Sequence, residues 1–255
     1  MTSTKKPNPM SNKNQLQTTT PTSFAIISQP ESLSLMAAGF EAGVDTYQLP
    51  RIRVPSGGVT MWTVTDLDGE RNVKELDCVI GATRSKLKVW WRNQDGTGMP
   101  PDCSSQDGIT GIGNNRDDLS PEGQGQHDCS SCTWNKWGSD RKGGKGRDCK
   151  DFAEVYIFLP ESRMPSLLNI PPSSLKELQT YAVRLISAGL SPTQVVTRLT
   201  LTKMQNASGQ AYSQVQFQML RRLEDAEREQ AKVMSQELSK HLIASISQRM
   251  QPVSL

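Results

Sequence analysis

Strand patterns dominate the first half of the chain. They cover 59–65, 73–83 and 86–92, after a turn-rich stretch at 50–58. Asp66-Leu67-Asp68-Gly69, between the first two, is turn chemistry. In the third stretch Lys86, Lys88 and Trp90 fall on one face, and Leu87, Val89 and Trp91 on the other. The apolar run at 152–159 is too short for an ordinary helix and rich in aromatics, which predicts a buried strand. A helix is predicted between Ser174 and Gly189. Ser174 and Glu177 would form a capping box, Pro171-Pro172 bar an earlier start, and Leu175, Leu178, Ala182, Leu185 and Ile186 make the apolar stripe. Strands at 195–203 and 213–220 then read as a hairpin, the second alternating Val215, Phe217 and Met219 with glutamines. A short helix is predicted at 31–42, and a terminal one from about Leu223, where Met234, Leu238, Leu242 and Ile246 recur every four residues. The order of elements predicts a mainly β protein with helices: an OB-like small barrel, closed or partly closed, with one helix before the last hairpin. Its divisions are an arm at 1–22, a barrel domain at 23–222 with an insertion at about 99–150, and a terminal helix and tail at 223–255.

The insertion departs from this pattern. It is made mostly of Gly, Asp, Asn, Ser and Lys and cannot bury an apolar core. It also holds four of the five cysteines, Cys103, Cys129, Cys132 and Cys149. Cys129-Ser130-Ser131-Cys132 supplies two thiolates from one tight turn, and the other two flank it. Four soft thiolates suit tetrahedral zinc, and metal binding becomes folding energy where apolar burial is lacking. His127 is able to substitute for one distant cysteine. A closed thiolate site has no open position for water, so the expected role is structural and not catalytic. Cys78 stands apart in an apolar run and reads as a small buried hydrophobe.

Composition sharpens this reading. Only 35% of residues are hydrophobic and 5% aromatic, so part of the chain is expected to be unpacked, the arm at 1–22 first. Neither a bilayer-spanning run nor a signal peptide is legible, which predicts a cytoplasmic setting with reduced thiols. With two histidines, general acid–base chemistry has few candidates, and His241 is expected on the polar side of the last helix. The stretch from Gly138 to Lys145 has Ser139 and Gly146 where a phosphate-binding loop needs Gly and Ser or Thr. No active site assembles, so an enzyme is not expected.

Two stretches mix cations with aromatic or flexible residues. On the 86–92 strand, Lys86, Lys88, Trp90 and Arg92 offer phosphate contacts and a stacking ring. In the insertion, Arg141, Lys142, Lys145 and Arg147 lie among glycines beside Cys149, with Trp134 and Trp137 nearby. Stacking needs no base code, because every base has a π-face. The bland reading makes one of Trp90 and Trp91 core and the lysine face merely solvated. Asp107, Asp117, Asp118 and Glu122 argue against a uniformly basic insertion.

Several segments together resemble uncharacterised phage and mobile-element proteins that look like single-stranded-DNA-binding proteins with an OB-like core and a four-cysteine zinc element. They are Cys103-Ser104-Ser105-Gln106-Asp107-Gly108, Cys129-Ser130-Ser131-Cys132, Trp137-Gly138-Ser139 and Gly144-Lys145-Gly146-Arg147-Asp148-Cys149-Lys150. Leu168-Asn169-Ile170-Pro171-Pro172-Ser173-Ser174-Leu175-Lys176, Val195-Val196-Thr197-Arg198, Asn206-Ala207-Ser208-Gly209 and Tyr212-Ser213 complete the set. The resemblance spans about 59–220 and implies Cys103, Cys129, Cys132 and Cys149 as zinc ligands. It also implies a protein that coats transient single-stranded DNA, possible RNA included, during replication or recombination of a phage or mobile element. The chain departs from many such binders in ending Gln251-Pro252-Val253-Ser254-Leu255 and not in acidic residues, which puts recruitment of replication or recombination proteins through a tail in doubt. The alternative is a zinc-stabilised protein–protein module. Its seam, or that of a homodimer, would be the Met234, Leu238, Leu242 and Ile246 stripe if that stripe is exposed.

Overall fold

The structure is a computed structural model and describes residues 49–66, 69–93, 101–113, 125–160, 162, 164–206 and 208–249, with backbone alone at Asp66, His241 and 243–249. The expectations of an arm at 1–22 and a helix at 31–42 lie outside the described residues, as do Asp117, Asp118 and Glu122. The strands are β1 (Arg51–Arg53), β2 (Trp62–Asp66), β3 (Gly69–Val73), β4 (Glu75–Trp90), β5 (Cys103–Ser105), β6 (Thr110–Gly113) and β7 (Gly125–Asp128). After them come β8 (Lys150–Phe158), β9 (Ser166–Ile170), helix α1 (Pro172–Ser187), β10 (Val195–Gln205), β11 (Ala211–Arg222) and helix α2 (Asp225–Arg249).

Among the described residues the fold is mainly β, with two α-helices, one large mixed sheet and a separate β2–β3 pair, and no closed barrel is formed. Its path runs β1-β9-β8-β4-β5-β6-β7, with β10 paired to β4 and β11 to β10. The β1–β9 pair is parallel and the others are antiparallel. A single bridge, Ser56 to Tyr212, joins the chain just after β1 to β11. Of the closed or partly closed small barrel expected, the closed form is corrected: one bridge is not a ladder, and the far end of β4 pairs with β5 of the insertion and with β8.

β8 shows why the core forms where it does. Ala153, Val155 and Ile157 face one cluster with Trp62, Leu76, Cys78, Leu168, Tyr181, Val195, Leu199 and Val215. Tyr156 and Phe158 face a second cluster with Val79, Leu167, Ala231, Met234, Leu238 and Leu242 of α2. A strand buried on both faces must be largely apolar, and 152–159 is apolar but for Glu154, which pairs with Arg84 at 2.9 Å. Gly81 serves this second layer, because a Cβ there would stand 2.4 Å from the Phe158 ring. The stripe expected to mark a partner seam is covered within the chain itself, since Met234, Leu238 and Leu242 are all buried. Ile246 and the His241 side chain lie outside the described residues. No described helix is long and apolar enough to cross a membrane.

The expected strands at 73–83 and 86–92 are one strand, β4. A register shift between Arg84 and Leu87 absorbs the break, with Lys86 at φ +68°. Helix α1 ends as expected at Gly189, φ +70°, with the Leu190 amide donating to the Leu185 carbonyl. Its start and stripe differ from expectation. Pro171 is the N-cap with no side-chain cap, and Tyr181 enters the core, while Ile186 is 67% exposed. Ser174 is fully buried, and its hydroxyl accepts the Val215 amide of β11 at 3.0 Å. A tertiary partner has taken the capping hydroxyl. Removing it in Ser174→Ala strands a buried amide and is expected to cost about 1–3 kcal/mol in denaturant unfolding. Glu177→Ala should change stability by less than about 0.5 kcal/mol. Equal losses from both would restore the capping box.

Candidate metal centre and basic lobe

The far end of β4 carries the insertion, and local polar contacts shape its loops. The Asp128 carboxylate accepts the Ser130 amide and hydroxyl at 2.7 and 2.8 Å, turning the chain into Cys129-Ser130-Ser131-Cys132. Asn135 closes that turn: its side-chain amide donates to the Cys129 carbonyl at 2.7 Å and its backbone amide to the Cys132 carbonyl at 3.1 Å. The Cys129 amide donates to Ile109 and the Cys149 amide to Trp134, at 2.8 and 2.9 Å. Cys103 stands opposite Trp90 in the β4–β5 register. The Asp107 carboxylate accepts the Ile109 and Thr110 amides at 2.8 and 2.7 Å, so this acid serves the loop that precedes β6.

These contacts bring Cys103, Cys129, Cys132 and Cys149 to the wall of one pocket, with His127, Lys88, Trp90, Ser105, Trp134 and Asn135. Cysteines up to 46 positions apart meet there, and none of the thiols is in a disulfide. His127 Nε2 stands 3.6 Å from Cys103 Sγ. Burial pushes the Cys103 and Cys149 thiols up to about 12 and raises Cys129 as well, and the neighbouring thiols add to the first two. Lys88 pulls Cys129 and Cys149 back down. Among the described residues no three donors are yet drawn together tightly enough to hold an ion. A bound cation would be what draws the sulfurs to the bonding distance of about 2.3 Å. The donor chemistry would fit zinc: four cysteines beside aromatic rings, next to a buried lysine that is paired with Asp151.

Lys88 is only 8% exposed. Its ammonium pairs with the Asp151 carboxylate and donates to Asn135 Oδ1 at 3.2 Å. Trp90 is 4% exposed and stacks on Trp134, ring centroids 5.1 Å apart. Its indole N–H donates to Asp148 at 2.6 Å. The same Asp148 oxygen accepts Arg141 Nε at 2.7 Å, and the Arg141 guanidinium sits 5.2 Å from both rings. Arg141 also donates to the Arg92 and Trp91 carbonyls. Arg92 is half-buried, its amide donating to Asp102 at 2.8 Å. The strand-face reading of Lys88 and Trp90 as open contacts therefore meets a face already covered by the lobe, while Lys86 stays exposed at the bulge.

No family model, curated protein or solved structure matches the chain.

What remains outward is the surface of residues 136–150. Trp137 is 75% exposed, with the Arg147 guanidinium 4.8 Å from its ring centroid. Lys136, Lys142, Lys145 and Lys150 are exposed. Arg147 also reaches Asn135 and Asp151 at 3.3 and 3.4 Å. Residues 136–150 hold six cations and two carboxylates, a net of +4, against +3 for the whole chain. Sequence reasoning did not single out Asn135 and Asp148, the two side chains that hold the lobe together. Their partners lie on β4 and in the Cys129–Cys132 turn, and no local spacing announces that. Asp148→Ala leaves Arg141 and the Trp90 indole without their acceptor. Arg141 is 31% exposed, which tempers the loss, and about 2–3 kcal/mol is expected. Loss of the near-ultraviolet dichroism of the stacked tryptophans would report it, and an unchanged spectrum would remove Asp148 from this role.

Proposed function

We propose that this chain binds single-stranded nucleic acid, single-stranded DNA first, through the basic face of a zinc-stapled lobe. The observation that carries the reading is Trp137, an exposed ring with Arg147 on it, set among four exposed lysines. A base stacking on that ring and phosphates along Lys136, Lys142, Lys145 and Lys150 would give affinity with little base preference. Coating of transient single strands in replication or recombination is the process such binding serves. Zinc would be held by Cys129, Cys132 and Cys149, with Cys103 in the fourth position. It would supply folding energy to a segment with only a small apolar cluster. In this reading the sheet is an opened variant of an OB-like barrel, supported by the Ser56–Tyr212 bridge and the helix before the last hairpin.

The protein–protein alternative has lost Met234, Leu238 and Leu242 as an exposed seam. Its remaining foothold is the outward pair Val183 and Ile186 on α1, 61% and 67% exposed.

Titration of zinc-loaded protein with a short oligothymidine at two salt concentrations, followed by tryptophan quenching, tests the reading. Trp137→Ala should cost about 1–3 kcal/mol of affinity. Lys142→Ala and Lys145→Ala should each lower the salt slope by about one. Salt-independent binding, or none on zinc-loaded protein, would sink it and leave the α1 face as the better lead. Lys88 separates the two halves of the reading. Lys88→Met should weaken zinc retention roughly 10–100-fold and leave the salt slope of zinc-loaded protein unchanged. A lowered slope would make Lys88 a phosphate contact after all.

A further inference from the structure

We infer that His127 is a fifth donor of the metal centre and can take the corner held by Cys103. Cys129, Cys132 and Cys149 then form a constant half-cage, and the fourth bond goes to either Cys103 or His127. The inference rests on the metal reading above and deepens it.

The argument begins with register. Cys103 on β5 pairs with Gly113 of β6, and His127 on β7 pairs with Gly111 of the same strand. Positions two apart on a strand share a face, so Cys103 and His127 emerge on one side of the ribbon. Glycine at both β6 positions leaves that side clear. The clearance is tight, since a Cβ at Gly111 would stand 2.6 Å from His127 Nε2. The result is two donors side by side, Nε2 and Sγ 3.6 Å apart, on the wall that also carries the other three thiols.

Chemistry favours their exchange. Zinc accepts an imidazole nitrogen at about 2.0–2.1 Å as readily as a thiolate at about 2.3 Å, and three-thiolate sites with one histidine are an ordinary closed set. Four thiolates leave the centre at −2, and three with a neutral imidazole leave it at −1. Lys88, the cation lining this pocket, is shared with the Asp151 carboxylate, so the less charged centre asks less compensation of it. Among the described residues His127 Nδ1 is buried with no hydrogen-bond partner, so no hydrogen bond there holds the ring in another orientation.

The test is zinc affinity by chelator competition on the full chain, in Cys103→Ser, His127→Ala, the double variant and Cys132→Ser. Both of the first two should hold one zinc within about tenfold of the parent, and the double variant should fall by more than about 100-fold, beyond what loss of a supporting residue costs. The cobalt-loaded Cys103→Ser protein should keep its tetrahedral spectrum but lose about one quarter of its thiolate-to-metal absorbance, as one of four thiolates goes. With only two histidines in the chain, the 15N resonances of His127 can be read directly. They should shift on zinc loading of Cys103→Ser, a readout confined to folded, loaded protein. Cys103→Ser as weak as the double variant, or unshifted His127 resonances in it, would overturn the inference. No zinc on the parent chain, or full retention in Cys132→Ser, would instead overturn the metal reading beneath it.

Discussion

A polar, glycine-rich lobe, its apolar cluster limited to Trp90, Cys103, Trp134 and Cys149, is held to the end of a core strand by a buried carboxylate, with the Asn135–Lys88 contact beside it. Asp148 takes the indole N–H of Trp90 from β4 and the guanidinium of Arg141 from the lobe. That pairing sets two tryptophan rings face to face beneath a cation. Everything outward depends on it. Cys149 is the next residue, so the carboxylate that anchors the lobe also fixes one wall of the thiol pocket. A buried charge left without its partners is expensive, and Asp148, 5% exposed, has both an indole and a guanidinium.

The legible parts of the fold were those whose physics is local. An apolar run at 152–159, a hairpin with alternating Val215, Phe217 and Met219, and a helix stopped by Gly189 each reappear within a few residues of expectation. Elements made by pairing alone were not legible. β1 and β9 are short: β1 pairs in parallel with β9, and β9 is held on its other side by antiparallel β8. The insertion strands β5, β6 and β7 have almost no apolar pattern to read. Barrel closure failed as an expectation for the same reason: a strand order does not say how many rungs the last pair will make.

The site divides in the same way. The four cysteines stood out by residue type, and the fold does bring them to one pocket. Lys88 and Trp90 were placed on the correct face of the correct strand. Period two says which residues share a face but is silent about what covers it. Here the lobe covers it, so a lysine read as a phosphate contact is buried against Asp151 and Asn135. Ser174 is the helical counterpart. Its spacing to Glu177 is right for a cap, yet a strand amide 41 residues away claims the hydroxyl.

The distribution of charge follows from this division. Residues 136–150 carry a net of +4 and the whole chain +3, so the remainder is close to neutral and slightly acidic. A modest overall charge thus conceals a concentrated one, and whole-chain composition is a weak guide to a partner that meets only one face. Concentrating six cations in a short segment without a core opposes its folding through self-repulsion. Arg141 and Arg147 answer part of that by pairing inward with Asp148, Asp151 and the indole rings. Among the described residues Lys136, Lys142 and Lys145 make no such ion pair, whereas Lys150 donates to the Arg147 carbonyl and lies 3.9 Å from Asp140. Holding them on a fixed frame removes ordering entropy that a floppy basic loop would surrender on binding. On the proposed reading this is why the staple and the interface occupy the same stretch of chain: the metal rigidifies the loop whose charge the ligand then neutralises.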